Sequence, residues 1–173
     1  MTVLLLAEDD PDLRDGLQRL MRRAGFAVYA ADNGSAALSL ALTTPPDIVL
    51  TDFDMPELDG LELCRAIRAR PETADVPVAV ISGRLRTADT DLRAAGVCAV
   101  LLKPLPNDEL IDAVCALAEY GPHPHDTTPC RPWPDGPVRQ ATAVSAACGS
   151  RPGRDRRTGG VVADPLADSR NEL

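Results

Sequence analysis

The chain has 173 residues, 45% of them apolar but only 3% aromatic, with a formal net charge of −8. That length accommodates one ordinary domain plus an appendage, with a core built from Leu, Val, Ile and Ala. The negative balance excludes the cationic footprint of a nucleic-acid-binding surface, and no apolar run approaches the length needed to cross a bilayer.

The charge is uneven. Residues 1–120 hold 20 acids and 11 bases, a balance of −9, whereas residues 121–173 hold 6 acids and 7 bases, a balance of +1. Five cysteines, Cys64, Cys98, Cys115, Cys130 and Cys148, are odd in number and show no C-x-x-C spacing. Three of them sit in apolar stretches, where a reduced thiol simply packs. No disulfide framework is expected, and the cytoplasm is the expected compartment. Met1-Thr2 leads directly into a short apolar run, without the basic stretch of a signal peptide.

In chain order, the first short apolar run is Val3–Ala7. A helix follows, with Asp10 as N-cap, Pro11 at the first helical position, and Leu13, Leu17, Leu20 and Met21 on one face. Gly25 stops it. The weak run Ala27–Ala30 suits a sheet edge. Ile48–Thr51 comes next, and Asp59-Gly60 marks entry to the third helix. Val78–Ile81 and Val100–Leu102 complete the runs, and a last helix begins near Asn107 with Leu110, Val114 and Leu117 in one stripe. Four of the five runs are apolar throughout, as in strands buried on both faces of a parallel sheet. Strand and helix alternate five times, so the handedness of crossovers gives an α/β fold with helices on both faces.

The polar residues fall where strands end. Glu8 and Asp9 close the first strand, and Asp52 closes the third, with Asp54 two residues on. Ser82 and Gly83 follow the fourth, and Lys103, before Pro104, follows the fifth. In an open parallel sheet these ends share one edge, where ligands bind at the reversal of strand order. If the order is 2-1-3-4-5, Glu8, Asp9 and Asp52 crowd one pocket on strands roughly 4.8 Å apart. Three carboxylates and one ammonium leave a balance of −2, which calls for one divalent cation. A few oxygen ligands with room for water suit Mg²⁺. Seventeen of the 18 basic residues are Arg, and Lys103 alone is Lys. A compact ammonium follows a carboxylate or phosphoryl oxygen where a guanidinium fork would fill the pocket.

The stretches LLLAEDDPDLRDGLQRL, PDIVLTDFDMPELDGLEL, VPVAVISG and AGVCAVLLKPL resemble the receiver domain of two-component response regulators, of the chemotaxis-receiver type. They cover roughly residues 2–118. The resemblance implies a flavodoxin-like, doubly wound five-stranded sheet and a phosphoryl group accepted on Asp52 from a histidine kinase or phosphotransfer protein. It implies Asp9 as direct metal ligand, Glu8 acting through a metal-bound water, and the backbone carbonyl of Asp54 on the metal. Ser82 and the Gly83 amide are matched to phosphoryl oxygens, and Lys103 to the phosphoryl group. The peptide before Pro104 is expected to be cis. By the same resemblance, Asp54 and Arg84 modulate acyl-phosphate lifetime, and turnover is limited to self-phosphorylation and slow autodephosphorylation. The family's usual aromatic, three positions before the lysine, is Val100 here, which has no ring to swing. That puts the usual readout through the fourth helix, fifth strand and fifth helix in doubt.

Residues 121–173 contain 8 Pro and 6 Gly, too many for a packed domain of that length. The segment reads as a mostly disordered tail after a receiver at 1–120. It has no recognisable output domain, and Val138–Cys148 is at most a marginal helix. His123 and His125 lie in the Pro-rich tail and are not expected to bind metal. Arg154, Arg156 and Arg157 read as a solvated linker before contacts to acidic partners, while Trp133 is either inert or a docking residue. The expected output is contact with a downstream protein target, with no direct nucleic-acid binding and no membrane. Two other readings stand beside it. In a haloacid-dehalogenase-type phosphatase, Asp52-x-Asp54 would be the D-x-D motif, although that motif belongs at the end of a first strand. The other is a non-phosphorylated scaffold.

Overall fold

The computed structural model describes residues 1–83 and 89–125. Five strands alternate with five helices: β1 (Val3–Ala7), α1 (Pro11–Arg23), β2 (Ala27–Ala31), α2 (Gly34–Thr43), β3 (Ile48–Asp52), α3 (Gly60–Arg68), β4 (Val78–Ser82), α4 (Asp89–Ala94), β5 (Ala99–Leu102) and α5 (Asn107–Tyr120). All pairings are parallel and the strand order is 2-1-3-4-5. The reversal falls between β1 and β3, where Ala7 pairs with Thr51. Arg84, Trp133, the Val138–Cys148 segment, Arg154, Arg156 and Arg157 lie outside the described residues.

Period-two alternation sorts each strand between two cores. Leu4, Leu6, Ile48, Leu50, Ala79, Ile81 and Leu101 pack with Leu17 and Met21 of α1 and with Leu110, Val114 and Leu117 of α5. Leu5, Val49, Val78 and Val80 pack with Ala37 and Ala41 of α2, Leu63 and Ile67 of α3, and Leu92 of α4. Because both faces are covered, β1, β3 and β4 are almost wholly buried. The weak second run is indeed an edge strand. β5 departs from the sequence pattern: it is the other edge, and Leu102 is 44% exposed despite its apolar run.

Helix starts follow side-chain chemistry. The Asp10 carboxylate accepts from the Leu13 amide at 2.8 Å, with Pro11 at the first position of α1. Gly25 follows the helix at φ 96°, a left-handed conformation that glycine adopts without steric cost. Leu13 is 38% exposed and so leaves the apolar face assigned to it; it sits in the first turn, at the open rim of the sheet. Asp59 caps α3 in a reciprocal capping box with Glu62, satisfying two backbone donors at once.

The cysteines are not uniform. Cys64 and Cys98 are thiols, and burial pushes the Cys64 thiol up to about 12. Cys115 on α5 is disulfide-bonded, against the expectation of reduced thiols throughout. An odd count leaves room for a pair, and disulfide partners need no sequence proximity. Among the described residues, no helix is long and apolar enough to cross a membrane.

Candidate functional site: an acidic pocket at the carboxyl edge

The alternation that sorts the core also aims the polar residues. Glu8 continues the phase of Leu4 and Leu6, Asp52 that of Ile48 and Leu50, and Lys103 that of Ala99 and Leu101. The three side chains therefore converge above the same face at the strand ends. Lys103 Nζ lies 2.5 Å from Asp52 Oδ1 and 3.5 Å from Glu8 Oε2. Glu8, Asp9 and Asp52 each offer a carboxylate oxygen within 4.8 Å of the others. Glu8 is 2% and Asp52 6% exposed, so these charges face each other largely out of water.

Backbone contacts hold the pocket in shape. The Asp54 amide donates to Asp52 Oδ2 at 3.0 Å, so Asp54 enters the site through its main chain while its side chain is exposed. The Thr51 hydroxyl donates to the Asp52 carbonyl at 2.9 Å. Arg14 of α1 donates from Nη1 to the carbonyls of Glu8 at 2.9 Å and Asp9 at 3.1 Å. That fixes the acidic loop from below, a role sequence reasoning missed because Arg14 looks like any solvent-facing helix residue. After Asp52, Glu57 stands at φ 68°, a left-handed position in the loop that leads to α3.

Ser82 ends β4 almost fully buried, and its carbonyl accepts the Lys103 amide at 2.8 Å. Ser82 shares the phase of Val78 and Val80, which face α3 and α4, and so stands on the opposite face of the sheet from Asp52. Gly83 follows it, and nothing lies within 4 Å of where a Cβ would be. The Lys103-Pro104 peptide is cis, as expected. Val100 is half-buried and packs against the core under α2, α3 and α4.

The electrostatics carry the signature of crowded carboxylates. The pKa of Glu8 is raised, first by burial and then by the Asp52 charge, and Lys103 only partly offsets both. For Lys103, burial is the largest influence and acts downward. The hydrogen bond to Asp52 and the charges of both carboxylates outweigh it, and the pKa ends raised. The sign for stability follows. Glu8 binds its proton more tightly folded than unfolded, so its ionisation above the folded pKa opposes folding. Without divalent cations, stability is expected to rise as the pH falls from above the folded Glu8 pKa toward the unfolded value. Glu8→Gln should raise the metal-free melting temperature, flatten that pH dependence and weaken divalent-cation binding. Urea titrations across the pH series check this, and a Gln variant less stable than wild type would contradict it.

The three carboxylates have the donor chemistry of a divalent site for a hard cation. The family model for the response regulator receiver domain matches residues 4–115. The chain is 40% identical over 118 residues to "Transcriptional regulatory protein PrrA" of Mycobacterium leprae, covering 66% of this chain and 48% of that protein. It is 36% identical to "Response regulator MprA" of Mycolicibacterium vanbaalenii, covering 66% and 49%. The chain thus spans about half the length of the curated relatives it matches. Among solved structures, the receiver domain of sensor histidine kinase PA1611 from Pseudomonas aeruginosa, with magnesium ion coordinated in its active-site cleft, is 27% identical. Its TM-score is 0.63, and the match covers 68% of this chain and 98% of that one. Sheet order, site position and family match agree over the same residues: this chain belongs to the response regulator receiver domain family.

Proposed function

We propose that Asp52 accepts a phosphoryl group from a phosphohistidine on a histidine kinase or phosphotransfer protein, in a Mg²⁺-dependent reaction. The observation that carries this reading is the Lys103 ammonium set between two buried carboxylates, with a third carboxylate in reach. Glu8, Asp9 and Asp52, with the Asp54 carbonyl, would hold Mg²⁺. When bound, it supplies charge neutralisation for the acids and for the incoming phosphoryl oxygens.

An Asp52 carboxylate oxygen forms the new O–P bond as the P–N bond to the donor imidazole breaks, and the imidazole leaves with a proton. Lys103 turns from Asp52 to a phosphoryl oxygen, while the Ser82 hydroxyl and Gly83 amide bind others. Chemistry at the site extends to self-phosphorylation and slow autodephosphorylation, not to turnover of a separate substrate. The receiver occupies residues 1–120 and signals through contact with a downstream protein target, without binding nucleic acid itself. A cytoplasmic location is part of the proposal.

The phosphatase reading has nothing further in its favour: Asp52 ends the third strand in chain order, not the first. Incubation with a small acyl-phosphate donor and Mg²⁺, followed by intact mass, is expected to show one added phosphoryl group. Asp52→Asn should abolish it. An unmodified wild-type protein at saturating donor would sink the proposal and favour a scaffold.

A further inference from the structure

Cys98, just before β5, meets His123 and His125 from the segment after α5. The meeting point is at the amino-terminal edge of β4 and β5, opposite the acidic pocket. The Sγ atom lies 3.5 Å from His123 Nε2 and 3.2 Å from His125 Nε2. One ligand atom from each residue falls within 4.8 Å of the others. Zinc bound to sulfur at about 2.3 Å and to nitrogen at about 2.0–2.1 Å in a tetrahedron spans an S···N edge of about 3.5 Å. The present spacing is that of a ligand set drawn around one ion.

The imidazoles are oriented from behind. His123 Nδ1 lies 2.8 Å from the Gly121 carbonyl oxygen, and His125 Nδ1 lies 3.1 Å from the Ala74 carbonyl oxygen. A carbonyl oxygen only accepts, so the tautomer with its hydrogen on Nδ1 fits both contacts and directs the Nε2 lone pair toward the sulfur. This carbonyl-to-imidazole arrangement is the outer shell that fixes the tautomer of metal-binding histidines. The sulfur also accepts from the Val78 amide at 3.3 Å and from Arg68 Nη2 at 3.6 Å, donors that favour a thiolate ligand.

The surroundings hold the geometry. The His123 amide donates to the Asp75 carbonyl at 3.0 Å, and the Tyr120 and His123 rings meet edge to face at 4.7 Å. Cys98 is nearly fully buried, both histidines are half-buried, and His125 lines an open cleft of about 520 Å³.

We propose that Cys98, His123 and His125 form a zinc site that clamps the segment leaving α5 onto the base of β4 and β5. Thiolate with two imidazoles selects Zn²⁺ over hard cations such as Mg²⁺, and the fourth position takes water. Binding releases the thiol proton to solvent. The site is independent of the chemistry at Asp52.

The test uses the full chain without a histidine tag. Dialysed protein is expected to retain one equivalent of zinc by elemental analysis. Cobalt substitution should give a thiolate-to-cobalt charge-transfer band together with tetrahedral d–d bands. Cys98→Ser should remove the charge-transfer band and Cys64→Ala should keep it. His123→Ala and His125→Ala should each weaken zinc at least about tenfold in competition with a chromophoric chelator. Far-UV circular dichroism and the phosphoryl adduct report folding. If Cys98→Ser does not fold, the two histidine variants decide. Absence of the cobalt band in wild type, a band that survives in folded Cys98→Ser, or unchanged affinity in both histidine variants would overturn the site.

Discussion

Lys103→Met is expected to destabilise the metal-free protein by about 3 kcal/mol, with most of the loss restored by saturating Mg²⁺. Removing one partner from a buried charge set typically costs 3–5 kcal/mol, because the charges left behind are uncompensated. Lys103 is 33% exposed in its side chain, so solvent screens part of that cost and the lower end applies. Two carboxylates, Glu8 and Asp52, would then face each other without the cation that now lies between them. A divalent ion at the proposed site among Glu8, Asp9 and Asp52 would take over the neutralisation and, by binding the folded state in preference, would stabilise by mass action. Urea unfolding with and without Mg²⁺ measures both halves. A loss that Mg²⁺ leaves unchanged would show that Lys103 acts by packing its stem and not by its charge.

Gly60→Ala is expected to cost about 3 kcal/mol and to slow the proposed phosphorylation at Asp52. Gly60 opens α3 directly over the end of β3, and its amide donates to the Phe53 carbonyl at 3.0 Å. A Cβ there would stand 2.3 Å from the Asp52 carbonyl oxygen and 3.1 Å from Phe53 Cα. Both are backbone atoms at the end of β3, in the proposed phosphoacceptor and the residue after it, so relief requires moving α3 or Asp52 itself. Overpacking of this kind costs roughly 1–3 kcal/mol when side chains can adjust, and here none can. The rate with a small phosphodonor reads the displacement of Asp52, and denaturant midpoints read the stability. A variant with wild-type stability would mean that the close approach relaxes without cost.

The two variants separate what the pocket owes to charge from what it owes to shape. Lys103→Met leaves the backbone in place and removes a cation, so a cation should repair it. Gly60→Ala leaves every charge in place and shifts the backbone, so Mg²⁺ should compensate only through whatever binding survives. Unequal responses to the same ion are therefore expected from two substitutions at one site.

Much of this molecule was written in local sequence. Apolar runs of strand length, Asp10 before Pro11, and Asp59 before Gly60 placed the elements, because strand burial and helix capping depend on near neighbours. The acids and the lysine at strand ends were legible for the same reason: a parallel sheet brings all its carboxyl ends to one edge. What local sequence left open depended on packing between distant segments. Edge position, not composition, exposed Leu102, and a helix pointing its first turn at the loop made Arg14 a clamp on the Glu8 and Asp9 carbonyls. Most plainly, His123 and His125 read as tail residues, since proline-rich composition says nothing about docking. Only the return of the chain after α5, past the Ala74 and Asp75 carbonyls, set them against a cysteine 25 and 27 residues away in sequence. Short-range patterns fix where elements begin and end; which side chains share a pocket is decided by how those elements pack.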